Sequence, residues 1–102
     1  MQNTLYLTLK KPQFEVTLSG EKRIEYRRSS QWITSRLLSK NYDLIRFVNG
    51  YGKDKPYFIV EFKGYEIMKK HEHHLFSNGL EVEVKIGHYA ITLGKVVETG
   101  NL

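Results

Sequence analysis

Residues 19–28 read SGEKRIEYRR, and this stretch decides how the chain around it folds. The side chains at positions 24 and 26 alternate with Arg23, Glu25 and Arg27, which is the period-two pattern of a β-strand. Gly20, just before it, suits the end of a helix or a tight turn. A strand over residues 23–28 would place Arg23, Glu25 and Arg27 on one face. We expect this charged face to lie in water or in a polar cleft.

The flanking segments predict a strand and two short helices. Leucines at positions 5, 7 and 9 share one face of a predicted strand over residues 5–9. Pro12 suits the first turn of a helix over residues 12–19. Ser29 or Ser30 is a good N-cap for a second helix over residues 31–39. Trp32 lies on the apolar side of that helix, so we expect it in the core.

The rest of the chain predicts strands separated by turns. Strands are expected over residues 42–48, 57–68, 80–86 and 89–97. Gly64 predicts a bulge or bend in the longest of them. Residues 51–56 predict a loop, and residues 69–78 predict a loop or a poor helix. This order indicates an α+β fold, a small and mostly antiparallel β-barrel with two short helices near the N-terminus.

Composition narrows the class of protein. The 102 residues fit a single domain, 1–102. Because there is no run of about 18 apolar residues and no signal-peptide pattern, we expect a cytoplasmic protein without membrane association. The absence of cysteine excludes disulfides and thiolate chemistry. The net charge of +5 favours a polyanionic partner, of which RNA or a nucleotide is the leading candidate.

Two segments carry candidate binding residues. In the first, Lys22 and Arg27 suit contacts with a phosphate or a base edge, although Glu25 and Arg27 also fit an ordinary surface ion pair. In the second, a tyrosine beside lysines is typical of a surface for single-stranded nucleic acid, although a plain hairpin loop fits as well. The predicted nucleic-acid-binding residues are Lys22, Arg23, Glu25, Arg27, Arg28, Tyr51, Lys53 and Lys55. Lys10 and Lys11 would add long-range attraction.

A histidine-rich segment, His71-Glu72-His73-His74, invites a metal interpretation. Its spacing matches no known ligand pattern, and no cysteine supports it. We therefore predict a solvated polar connection there. The sequence indicates no metal site and no cofactor.

The early pattern resembles the ASCH domain, a branch of the PUA-like superfamily. Members carry a Gly-x-Lys-x-x-Glu-x-Arg-like signature after a short helix, matched here by Gly20, Lys22, Glu25 and Arg27. The last predicted strand also resembles the C-terminal strand of the family. The resemblance implies a small β-barrel with helices beside it and a cleft that holds the signature residues.

The resemblance also implies a choice of functions. PUA-like domains typically bind RNA or read modified bases, while some small ASCH proteins are acetylcytidine amidohydrolases and others are described as ribonucleases. The amidohydrolases use a lysine, a threonine three residues later and a distant glutamate. Lys22 matches the lysine, Glu25 stands in the place of the threonine, and the distant glutamate has no match.

Three hypotheses follow for this chain. The first is a non-enzymatic module that binds RNA or a nucleotide in a basic cleft. The second is a hydrolase acting on a modified nucleoside or on RNA, with Lys22 and Glu25 as its catalytic residues. The third is an interaction protein that binds a protein partner.

Overall fold

The structure is a computed structural model that describes residues 2–102. Within these residues the chain forms seven strands and two helices. In chain order they are β1 (Thr4–Leu9), α1 (Lys11–Leu18), β2 (Ile24–Arg27), α2 (Gln31–Ser39), β3 (Leu44–Asn49), β4 (Tyr57–Ile67), β5 (Glu72–Leu75), β6 (Glu81–Val84) and β7 (Tyr89–Gly100). In this part of the chain, no helix is long and apolar enough to cross a membrane.

Five of the strands form one curled sheet in the order β1-β3-β4-β7-β2. β1 and β3 are parallel, whereas the other neighbours in the sheet are antiparallel. The sheet curls into a half-barrel, and the strand order makes β1 and β2 its two edges. β5 and β6 form a separate antiparallel hairpin. The α+β class and the mostly antiparallel sheet agree with the prediction.

The core fills the inside of this half-barrel. Alternate leucines of β1 point into it, as the period-two pattern predicts, and meet Ile45, Phe47 and Phe58, which are completely buried. Helix α1 supplies Phe14, whose ring packs edge-on against that of Phe58 at 4.9 Å between centroids. Helix α2 contributes Ile33 and closes its first turn with a hydrogen bond from the Ile33 amide to its N-cap, Ser30.

The glycine predicted to bend the long strand does so. Gly64 has a φ of +104°, a conformation that glycine adopts far more readily than other residues. The pairing register between β4 and β7 shifts between Phe62 and Tyr65, on either side of it. The predicted loop over residues 51–56 is also present.

Two predictions are wrong. Trp32 is not in the core: it is 48% exposed, and the guanidinium of Arg36, one helical turn later, lies 5.1 Å from its ring. A nine-residue helix packs only its Ile33 and Leu37 stripe inward, and Trp32 lies outside that stripe. Residues 69–78 are neither a loop throughout nor a helix, because they contain β5, which pairs with β6.

Candidate nucleic-acid interface

Lys22 and Glu25 form a buried ion pair beside the end of α1. The helix ends at Leu18, and Gly20 follows with a φ of +88°. The chain then turns back, so that the Lys22 amide donates to the Val16 carbonyl. The turn brings the Lys22 Nζ to 2.7 Å from Glu25 Oε1, with both side chains almost completely excluded from solvent. Lys22 is therefore not a solvated surface lysine.

The charged face of β2 points into the half-barrel. Glu25 is paired with Ile91 of β7, and cross-strand partners lie on the same face of a sheet. Ile91 belongs to the core and is completely buried, and Glu25 itself is 1% exposed. Glu25 and Arg27 share a face, as predicted, but the expectation that this face lies in water or in a polar cleft is wrong for the buried Glu25. β2 begins at Ile24, so Arg23 lies outside the strand, and its side chain is exposed.

Arg27 links the two edges of the sheet. Its Nε donates to Glu25 Oε2 at 2.8 Å, and its Nη2 donates to the Thr8 carbonyl of β1 at 3.0 Å. Both carboxylate oxygens of Glu25 are thus bonded to cations, one to Lys22 and the other to Arg27. Arg27 is 26% exposed, so part of its guanidinium side chain still faces solvent. These hydrogen bonds connect β1 and β2, the two edge strands, which are not paired with each other in the sheet.

The second predicted segment is anchored at the same end of β1 as Arg27. The Gly50 amide donates to the carbonyl of Leu9, the residue directly after the Thr8 that receives Arg27. The loop over residues 50–56 therefore starts beside the end of β1. Its Tyr51 side chain is 86% exposed. The two segments therefore flank the end of β1, with Arg27 at its free edge and the loop on the side of β3.

We call the resulting patch the β1-end surface. Apart from the partly exposed Arg27, its residues are exposed to solvent. Its members are Lys10, Lys11, Arg27, Arg28, Tyr51, Lys53 and Lys55. Three carboxylates lie among them or next to them. Asp54 is within the loop, Glu15 Oε1 is 3.9 Å from the Lys11 Nζ, and Glu25 is bonded to Arg27. Cations outnumber carboxylates, and the loop adds an exposed aromatic ring, a composition found at surfaces that track single-stranded nucleic acid.

The opposite face of β2 carries Tyr26, which packs against the β5–β6 hairpin. Its ring stacks on that of His74 at 5.3 Å between centroids. The His74 Nε2 lies 3.2 Å from the Tyr26 hydroxyl and 2.9 Å from Glu72 Oε1. Burial, together with the nearby Glu72 carboxylate, raises the pKa of Tyr26 above its ordinary value. Tyr26 is half-buried against a polar cluster rather than part of the apolar core.

The histidine-rich segment does not converge on a metal geometry. Across residues 2–102, no three side chains of His, Asp or Glu are placed to hold one ion. His71 and His73 are exposed, whereas His74 is engaged with Tyr26. His88 accepts a hydrogen bond from the Lys85 amide through its Nδ1. What this segment does instead is dock the hairpin onto β2.

Sequence reasoning missed two contributors to the site. The Thr8 and Leu9 carbonyls leave no signal, because every residue has a backbone carbonyl and only the fold selects these two. The contact of Tyr26 with His74 joins residues 48 positions apart and is equally hidden. No family model, curated protein or solved structure matches this chain.

Proposed function

We propose that this protein binds single-stranded RNA, or a nucleotide, through the β1-end surface, as a non-enzymatic module on an ASCH-like, PUA-like barrel. The observation that carries the proposal is that Arg27 and the start of the loop over residues 50–56 are both anchored at the end of β1, to the consecutive carbonyls of Thr8 and Leu9, one on each edge of the strand. Gly20, Lys22, Glu25 and Arg27 still match the ASCH signature, and the net charge of +5 suits an anionic ligand.

The two halves of this surface would contribute differently. Lysines in the loop would contact phosphates as mobile point charges, each adding about 0.7 to the dependence of log affinity on log salt for a single strand. Tyr51 would stack on a base, which is worth about 1–3 kcal/mol and depends little on salt. Arg27 is held by Glu25 and Thr8, so its free edge would present a fixed donor with little entropy to lose.

The test is titration of fluorescent single-stranded RNA at several salt concentrations. Arg27→Ala is a poor probe, because Arg27 also holds the sheet edges together. The better probe is the double variant Lys53→Gln/Lys55→Gln. Its matched control is Lys69→Gln/Lys85→Gln, which removes the same charge from exposed positions beyond the other end of β4.

We expect the loop variant to reduce the salt slope by about 1.4 and the control to leave it close to that of the unaltered protein. Tyr51→Ala should weaken binding at every salt concentration, whereas Tyr51→Phe, which keeps the ring, should not. RNA binding that is absent, or that is equally weakened by the loop variant and its control, would overturn the proposal. Capture of a protein partner without RNA binding would favour the interaction-protein hypothesis instead.

The hydrolase alternative has less support in the geometry. Glu25 has both oxygens bonded to cations and is 1% exposed, so it would have to leave this network to act as an acid or base. Acetylcytidine turnover tests this alternative directly. Turnover that is lost in Lys22→Met, with the variant still folded by circular dichroism, would favour it over the binding module.

A further inference from the structure

A second basic site lies at the other end of α1. The last turn of that helix and the middle of β7 enclose a cavity of about 330 Å³. Its apolar wall includes Leu93, and its polar lining comes from Thr17, Ser19, Lys22, Arg23 and Lys95. None of these residues belongs to the β1-end surface.

Thr17 is an unusual member of this lining. It is 4% exposed, and in the described part of the chain its Oγ1 has no hydrogen-bond partner. A buried hydroxyl without a partner destabilises a fold, and native structures leave few of them. Because Thr17 also lines the cavity, a small shift of its side chain would bring the hydroxyl to an acceptor bound there.

The cavity is electrostatically one-sided. No aspartate or glutamate lines it. Among residues 2–102, neither Arg23 nor Lys95 takes part in an ion pair, and both are exposed at the rim. The Lys22 ammonium donates to Glu25 alone and has N–H groups to spare. The combination of a fork-shaped guanidinium, two ammonium groups and a hydroxyl is suited to phosphate oxygens.

The nearby carboxylates and the helix end do not cancel this preference. Glu25, which is bonded to Lys22, is also bonded to Arg27, so two cations share its charge. Glu61, which accepts a hydrogen bond from the Lys95 amide, lies 3.7 Å from the Lys63 ammonium. At the C-terminal end of α1, the carbonyls of residues 15, 16 and 17 already accept hydrogen bonds from the turn that follows. These carbonyl oxygens carry the negative end of the helix dipole, and their hydrogen bonds to the turn reduce its repulsion of an anion.

We propose that this cavity binds a phosphomonoester, with Arg23, Lys22 and Lys95 on the phosphate and the Thr17 hydroxyl donating to one of its oxygens. The proposal goes beyond RNA binding at the β1-end surface. A volume of about 330 Å³ is at the small end for ligand pockets, so it suits one small molecule or one chain terminus rather than a length of RNA. The phosphomonoester is therefore either a free mononucleotide or the terminal phosphate of an RNA.

Calorimetric titration of the whole protein with adenosine 5′-monophosphate tests the site, with adenosine as the ligand that lacks the phosphate. We expect the monophosphate to bind and adenosine to bind at least tenfold more weakly. Arg23→Gln should weaken monophosphate binding at least tenfold, and Thr17→Val should weaken it severalfold. Lys85→Gln, which removes an exposed charge outside the cavity, is the control.

Thr17→Val also reports on folding. Because the hydroxyl has no partner, the variant should melt at the same temperature as the unaltered protein or higher. A second arm compares RNA bearing a 5′-phosphate with the same RNA bearing a 5′-hydroxyl. Tighter binding of the phosphorylated form, lost in Arg23→Gln and kept in Lys53→Gln/Lys55→Gln, identifies an RNA terminus as the source. Equal binding of both RNAs, with monophosphate binding intact, identifies the free mononucleotide.

Two results would overturn the proposal. The first is that adenosine 5′-monophosphate binds no more tightly than adenosine, and the 5′-phosphorylated RNA no more tightly than the 5′-hydroxyl RNA. The second is that the tighter binding of the phosphorylated ligand is kept in both Arg23→Gln and Thr17→Val. Because Lys53→Gln/Lys55→Gln tests the β1-end surface separately, failure here is distinguishable from failure of RNA binding there.

Discussion

The Nζ atom of Lys22 lies 2.7 Å from Oε1 of Glu25, in a place where the two side chains are 2% and 1% exposed. Burying both charges costs desolvation energy that their attraction only about offsets, so the pair adds little net stability over an apolar pair. Its effect is on geometry: it holds Glu25 in the position from which the carboxylate also accepts Arg27. Removing one partner leaves a buried charge, which is far more costly than never having the pair.

Lys22→Met should destabilise the protein by about 3 kcal/mol. This is the low end of the usual cost of breaking a buried pair, because Arg27 still compensates Glu25. Lys11→Met is the matched control: Lys11 pairs with Glu15 across a helical turn, but at 78% and 55% exposure. Its loss should cost no more than about 1 kcal/mol. Urea denaturation measures both, and equal costs would contradict a structural role for the buried pair.

Arg27→Lys should loosen β1. Lysine lacks the fork that reaches Glu25 and the Thr8 carbonyl at once, so one charge-assisted hydrogen bond is lost, at a cost of about 1.5–3 kcal/mol. We expect amide hydrogens of β1 to exchange faster with solvent, whereas those at the centre of β7 change less. Arg28→Lys, the exposed neighbour, should leave exchange unaltered. Uniform acceleration across the whole sheet would argue against an edge-closing bond.

Glu21 should tether the β5–β6 hairpin in a pH-dependent way. Hydrogen bonds from the Ser77 hydroxyl and amide lower the pKa of Glu21 below its ordinary value. A lowered pKa in the folded state means that the tether is complete above about pH 4.5 and is lost as the pH falls through the folded value. Carboxyl chemical shifts measured across an acid titration should show this lowered midpoint. Ser77→Ala should return it toward the ordinary value; an unchanged midpoint would contradict the tether.

The architecture was predictable because burial alternates along the strands. The alternating Leu5, Leu7 and Leu9 predict β1, and Gly64 predicts the bulge in β4, since both signals are local patterns of residue type. The prediction that Trp32 lies in the core was wrong because apolar character alone does not determine which side of a short helix packs inward. The segment around β5 misled because its pairing partner, β6, supplies the order that its own polar sequence does not.

Five of the eight predicted binding residues lie on the β1-end surface, whereas Lys22 and Glu25 are buried and Arg23 lies away from it. Alternation correctly put Glu25 and Arg27 on one face but not on the inner one, because charge normally marks a solvent-facing surface. The charged groups can be buried because they bond to one another and to the backbone. Lys22 and Arg27 donate to the Glu25 carboxylate, and Arg27 also donates to a backbone carbonyl. That Arg27 and the loop at residues 50–56 reach the same end of β1 depends on sheet order, which no single segment encodes.

Gly94 should prove as important to the sheet as the glycines in its turns. It lies in β7 opposite the bulged part of β4, where a Cβ would come within 2.7 Å of the Glu61 Cβ and 2.8 Å of the Lys63 Cε. The Glu61 Cβ is fixed to the backbone, so the strands themselves must separate. Gly94→Ala should therefore cost about 1–3 kcal/mol, as overpacking generally does.

Thr92→Ala is the control for this substitution, because it changes an exposed side chain two residues earlier on the same strand. Its cost should be below about 1 kcal/mol. Urea denaturation gives both values. Gly94 and Leu93 line the cavity at the end of α1. If that cavity binds adenosine 5′-monophosphate as proposed, Gly94→Ala should also weaken this binding, whereas Thr92→Ala should not. A Gly94→Ala protein as stable as the Thr92→Ala protein would show that β4 and β7 separate here without strain.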